Sequence, residues 1–224
     1  MSARPVLDSE LNAIADAVIE MGVLVENAIN DSIKSLKERD SNLAMSIIDG
    51  DEIIDDTEDA ISDMCLKFFA TQQPLAGDLR CVISIMNIIR DLERIGDHCE
   101  DIAKYTLRFE NEEYIKDLVD IPRMSCMAAR MVRNAIDSHV NRDLRLARKV
   151  WKADEEIDEM FRDIYDELLV IAENDRTKTK QSVMFLFIAA HLERIADYAT
   201  NICEETVFVM EGNYEMENAE RPRG

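Results

Sequence analysis

Apolar residues recur along this chain three and four positions apart over long stretches, the period of a helix that buries one face. The first stretch carries Leu11, Ile14, Val18, Met21, Val25, Ala28 and Ile29 and predicts a helix from about Asp8 to Glu38. Asp40 stands where an N-cap belongs. The next stretch, Leu43, Ile47, Ile54, Ile61, Cys65 and Phe68, runs to about Thr71. Gln72-Gln73-Pro74 interrupts the pattern. A third helix follows from about Leu75 to Phe109, through Ile85, Ile88, Leu92, Ile95, Cys99 and Ile102. The acidic Glu110-Asn-Glu-Glu113 then separates this half from one that reads the same way. In the second half Asp120 is a candidate cap with Pro122 in the first turn. That helix ends near Asn141, Asp143 opens the fifth, which runs to about Glu173, and Asn174 to Thr177 connects to a sixth that ends near Glu211, with Gly212 as its C-cap.

The two halves are copies. Asp91-Leu-Glu-Arg-Ile-Gly-Asp97 returns 100 residues later as His191-Leu-Glu-Arg-Ile-Ala-Asp197. At an offset of 103, Leu24, Ala28, Ile29 and Ile33 align with Met127, Met131, Val132 and Ile136, and Arg39-Asp40 with Arg142-Asp143. The same offset takes Asp51 and Asp55 to Asp154 and Asp158. A period this long is a duplicated domain and not a solenoid repeat. Short connections make sequential helices antiparallel. The fold class expected is therefore all-α, two tandem three-helix bundles: residues 1–112, residues 113–215, and a tail, 216–224, whose lack of an apolar period predicts disorder.

Composition agrees and narrows the function. Only 6 Gly and 4 Pro are present, too few for a turn-rich fold. The net charge of −21 excludes the usual nucleic-acid binder and docking by charge on an anionic membrane. It suits a partner that is a cation or a basic surface. No run of 18 apolar residues spans a bilayer, and the N-terminus lacks the apolar core of a signal peptide, so a cytoplasmic location without membrane insertion is expected. The five cysteines are scattered and read as reduced core thiols. Met124, Met127 and Met131, at helical spacing, read as core.

The acidic repeat carries the candidate chemistry. Glu93 and Asp97 lie one turn apart on one helix face, as do Asp51 and Asp55. With Glu93 at zero on a wheel of about 100° per residue, Asp97 falls near 40°, Asp101 near 80°, and the apolar stripe centres near 220°. The carboxylates therefore run along the edge of the core, where the second and third helices of a bundle can bring them together. The second half offers Asp154, Asp158, Glu193 and Asp197, with Asn201 in the place of Asp101. Such oxygen-only sets favour Mg²⁺, Ca²⁺, Mn²⁺ or iron. The histidines, His98, His139 and His191, lack the Glu-x-x-His spacing of di-iron bundles. His98 and His191 do not align in the repeat, so surface or supporting roles are expected for them. No nucleotide-binding or nucleophile motif is present.

Asp91-Leu-Glu-Arg-Ile-Gly-Asp-His98 and its second copy, with Thr200-Asn-Ile202 following, resemble the signature of the PhoU family of bacterial phosphate-signalling regulators. Gln73-Pro74-Leu-Ala-Gly-Asp-Leu-Arg80 and Gly50-Asp-Glu-Ile-Ile-Asp55 fit the same family, and the resemblance spans about residues 8 to 212. It implies two three-helix bundles with multinuclear iron or zinc clusters on the Glu/Asp-x-x-x-Asp motifs. It also implies frequent homodimers and a negative regulator that links a phosphate ABC transporter to a sensor histidine kinase. Ala196 replaces the usual Gly, Tyr198 the usual His, and His191 precedes Leu-Glu-Arg. The competing classes are a metal-dependent helical-bundle enzyme, which needs open coordination positions and a substrate cavity, and a structural scaffold with solvated acidic faces.

Overall fold

Six long helices follow the hydrophobic pattern in a computed structural model that describes residues 4–109 and 112–214. They are α1 (Arg4–Glu38), α2 (Ser41–Thr71), α3 (Ala76–Arg108), α4 (Asp120–Val140), α5 (Leu144–Asn174) and α6 (Thr179–Glu211), with a 3₁₀ turn at Arg176–Lys178. No strand occurs among the described residues. Two boundaries differ from the pattern. The first helix starts a turn early because Leu7 extends its buried stripe. Asp120 is the first residue of α4 and not its cap; Val119 precedes it without a side-chain cap bond. The predicted tail, 216–224, lies outside the described residues.

The duplication reaches into the turns. Asp40 accepts from Asn42 N and Leu43 N, both at 3.0 Å, and Asp143 accepts from Arg145 N and Leu146 N at 2.9 and 3.1 Å. The residue before each cap is left-handed, Arg39 at φ 56° and Arg142 at φ 53°. Each turn is closed by a bond reaching five residues back, Asp40 N to Ser35 O and Asp143 N to Ser138 O, the Schellman arrangement. Both turns thus end one helix and cap the next within three residues. Asp40→Ala and Asp143→Ala are each expected to cost about 1 kcal/mol, and the double variant the sum, because the caps share no partner. Urea unfolding measures this; midpoints equal to the parent would contradict it.

Within each half the three helices pack pairwise, and α3 and α6 join the halves, each in contact with its own two partners and with the other. Contacting residues run in opposite directions along α3 and α6 (Ser84 with Glu205, His98 with His191, Tyr105 with Phe187), so these helices are antiparallel. The first and fourth helices also touch. Gly22 lies against the Ile136 side chain so closely that a Cβ there would overlap it, and Arg133 Nε donates to Glu26 at 2.7 Å. One hydrophobic core runs through both halves, including Met124, Met127 and Met131. All five thiols are free; Cys65, Cys99 and Cys203 are buried.

The connection between the halves is docked onto α6. Gln181 Nε2 donates to Glu112 and to Glu113 O, and its Oε1 accepts from Ile115 N. Tyr114 donates to Leu36 O at 2.6 Å and stacks edge-on with Phe109 and Phe185.

Candidate metal centre

Backbone spacing places Asp51 and Asp55 one turn apart on α2, and Glu93 and Asp97 one turn apart on α3. Packing of the two helices turns these edges toward each other. The electrostatics record it: burial first, then Asp55, Asp97 and Glu100, pushes Asp51 up to about 6. Burial, then Asp97 and Asp55, raises Glu93. Burial, then Asp55 and Glu100, raises Asp97. Gly96 permits the approach. A Cβ on it would meet Ile54 Cδ1 at 3.0 Å and Asp51 Oδ1 at 3.2 Å, so the missing methyl leaves room for Asp51 and Ile54 against α3. Glu100, absent from the sequence-based set, joins the group, and Lys104 bonds to it.

The second half repeats the arrangement between α5 and α6. Burial, then Asp197, Asp158 and Asp154, raises Glu193. Asp154 is buried. Ala196 fills the place of Gly96 and is fully buried.

Two expected members face elsewhere. Asp101 lies with His98 and His191 at the α3–α6 seam, and Lys104 Nζ is 3.4 Å from it. Asn201 is exposed and lines a groove with Asn87, Arg90, Asp91 and Glu204, again between α3 and α6. The seam thus takes the residue eight positions after each glutamate, and the helix–helix edge of each half keeps the first two.

Each acidic set is oxygen-only, and its members lie near enough to raise one another's pKa, although the described residues bring no three of these carboxylates within 4.8 Å of one another. It can be neutralised in two ways: by protons, which is what the raised Asp51 expresses, or by cations. The donor chemistry fits hard or borderline ions. Iron bound by carboxylates suits it better than zinc, which favours nitrogen and sulfur.

Sequence reasoning missed the two histidines. His98 Nδ1 and His191 Nδ1 are 3.1 Å apart, half-buried, across the seam. Burial, then its neighbour His191, pushes His98 down to about 4, and burial lowers His191. No spacing along the chain signals this pair, because the two residues come from non-equivalent positions of the copies.

Comparison with known proteins settles the lineage. The PhoU domain family matches residues 18–106 and 121–206, one copy in each half. The chain belongs to the PhoU family. A PhoU homologue of Clostridium acetobutylicum, called a phosphate-specific transport system accessory protein, is 36% identical over 93% of this chain and 96% of its own. One from Aquifex aeolicus is 36% identical over 92% of this chain and 93% of its own. Crystallographic PhoU from Pseudomonas aeruginosa superposes with a TM-score of 0.88 at 30% identity, covering 92% of this chain and 99% of that one. The all-α duplicated fold read from the sequence is therefore the PhoU fold.

Proposed function

We propose that this protein is a regulatory accessory of phosphate uptake that acts through binding and not catalysis. The observation that carries the reading is end-to-end similarity to relatives named as accessory proteins of phosphate-specific transport. In this reading the chain is cytoplasmic and homodimeric. It links a phosphate ABC transporter to a sensor histidine kinase and restrains phosphate-starvation signalling. Among the described residues no helix is long and apolar enough to cross a membrane, so contact with membrane proteins would run through the helical surface.

Asp51, Asp55, Glu93 and Asp97 would hold one metal cluster, and Asp154, Asp158, Glu193 and Asp197 a second. Bound cations there supply charge neutralisation and cross-link α2 to α3 and α5 to α6, stiffening each half. The double substitution Glu93→Ala with Asp97→Ala is expected to lower the metal content of purified protein by about half while helicity is kept, since removing like charges from one face does not oppose the helix. Elemental analysis of tag-free protein checks it, and unchanged metal would overturn the cluster assignment. The regulatory reading is tested separately. Deleting the gene should derepress a phosphate-starvation reporter at high phosphate, and metal-loaded protein should show no oxidase, phosphatase or nucleotide-hydrolysing activity.

A further inference from the structure

We propose that His98, His191 and Asp101 form a separate site for one borderline divalent ion of the zinc type, bridging α3 and α6 and so joining the two copies. Two imidazole nitrogens and one carboxylate oxygen lie within 4.8 Å of one another there. In a tetrahedral zinc site with bonds of about 2.0 Å, donor atoms stand roughly 3.3 Å apart. The nitrogens, at 3.1 Å, are already near that spacing. A modest turn of the two rings aims both Nδ1 atoms at one point, and rotation of the Asp101 side chain, which is partly exposed, brings in the carboxylate.

The donor set separates this site from the acidic ones. Two nitrogens and one oxygen select zinc, cobalt or nickel over magnesium or calcium. Three protein ligands leave a fourth position for water or a partner's side chain. Without an ion the arrangement is poorly satisfied. The rings face each other through the same atom, Nδ1, so at most one hydrogen bond forms between them, whereas an ion would engage both nitrogens. Tyr198 packs against His98 with centroids 5.7 Å apart and Tyr105 against His191 at 6.0 Å, which limits rotation of both rings. Arg94, Arg194 and Lys104 bring positive charge to the neighbourhood. Lys104 is the group an ion would displace from Asp101, and Glu100 remains to hold it.

The duplication makes the site unique in the chain. At the repeat offset His98 corresponds to Tyr198 and His191 to Asp91. Antiparallel crossing of α3 and α6 therefore yields one seam position with two imidazoles and a pseudo-equivalent one with Asp91, Tyr198 and Asn201, which has none. One ion per chain is expected. It would fix the two halves to each other, whereas each acidic set acts within one half.

The test uses full-length protein stripped with a chelator and titrated with Co²⁺, then Zn²⁺. The parent should develop the visible spectrum of one four-coordinate Co²⁺ that Zn²⁺ displaces. A variant with Glu93→Gln, Asp97→Asn, Glu193→Gln and Asp197→Asn should keep that signal, so failure of the acidic clusters and failure of this site are distinguishable. His191→Gln should abolish the signal, and Asp101→Asn should weaken zinc affinity by at least about tenfold. Because either variant could perturb packing, the parent is also followed by ¹⁵N NMR of its imidazoles, where Zn²⁺ should shift the Nδ1 resonances of His98 and His191 together. Retention of the Co²⁺ spectrum in His191→Gln, or ring nitrogens that Zn²⁺ leaves unmoved, would overturn the proposal.

Discussion

Phe185→Ala is expected to destabilise the protein by about 3–5 kcal/mol, the range for a fully buried aromatic removed from a core. Phe185 has no accessible surface. Its ring stacks on Phe109 with centroids 4.6 Å apart and meets Tyr114 edge-on at 5.4 Å. Phe109 opens the connection between the halves and Tyr114 lies midway along it, and Tyr114 also carries Arg39 over its face at 4.2 Å and bonds to the end of α1. The substitution therefore removes apolar contact, opens a cavity, and loosens the junction where α1, α6 and the connection meet. Urea unfolding of the variant should show the lower midpoint. Limited proteolysis should cut first between residues 109 and 119. A loss under about 1 kcal/mol would mean that the neighbouring rings collapse into the space.

His139 is expected to make stability depend on pH. It is 8% accessible, and its Nδ1 has no hydrogen-bond partner. Burial first, then the nearby Arg142 cation, pushes its pKa from 6.5 down to about 4. A base whose folded pKa is depressed binds fewer protons when folded than when unfolded between those two values. Stability therefore rises with pH across that window, and the penalty is fully present below pH 4 and gone above 6.5. The depression corresponds to roughly 3 kcal/mol. Asp91 works the other way. Burial raises it to about 7, so the folded chain holds its proton longer and stability falls as pH rises toward that value. The total curve mixes the two, and the His139 share is read by difference. The unfolding free energy of His139→Gln minus that of the parent should climb by about 3 kcal/mol from pH 7 to pH 4. A difference independent of pH would refute the assignment.

The place of the acidic residues at the core's edge was legible because it combines two local properties. Carboxylates four apart share a helix face wherever the helix goes, and their position beside the apolar stripe puts them at the core's edge. Asp101 illustrates the limit. Its wheel angle, about 80° from Glu93, carries it off the α2 side and around to α6, and only the presence of α6 there gives that angle a meaning. Asn201 turns into the same seam for the same reason. The histidine pair was illegible in principle: His98 and His191 meet through the antiparallel crossing of two helices from different copies, and no spacing within either copy encodes that crossing.

The chain's own pattern determined six amphipathic helices, their caps at Asp40 and Asp143, and the copying of one half onto the other, since periodicity, capping and repetition are properties of neighbouring residues. Tertiary structure alone decided that α3 and α6 lie side by side and join the halves in one continuous core, and which side chains share the seam between them. Helix faces are set by rotation along one chain segment; which faces meet is set by burying every apolar stripe at once, a condition that involves all six helices together.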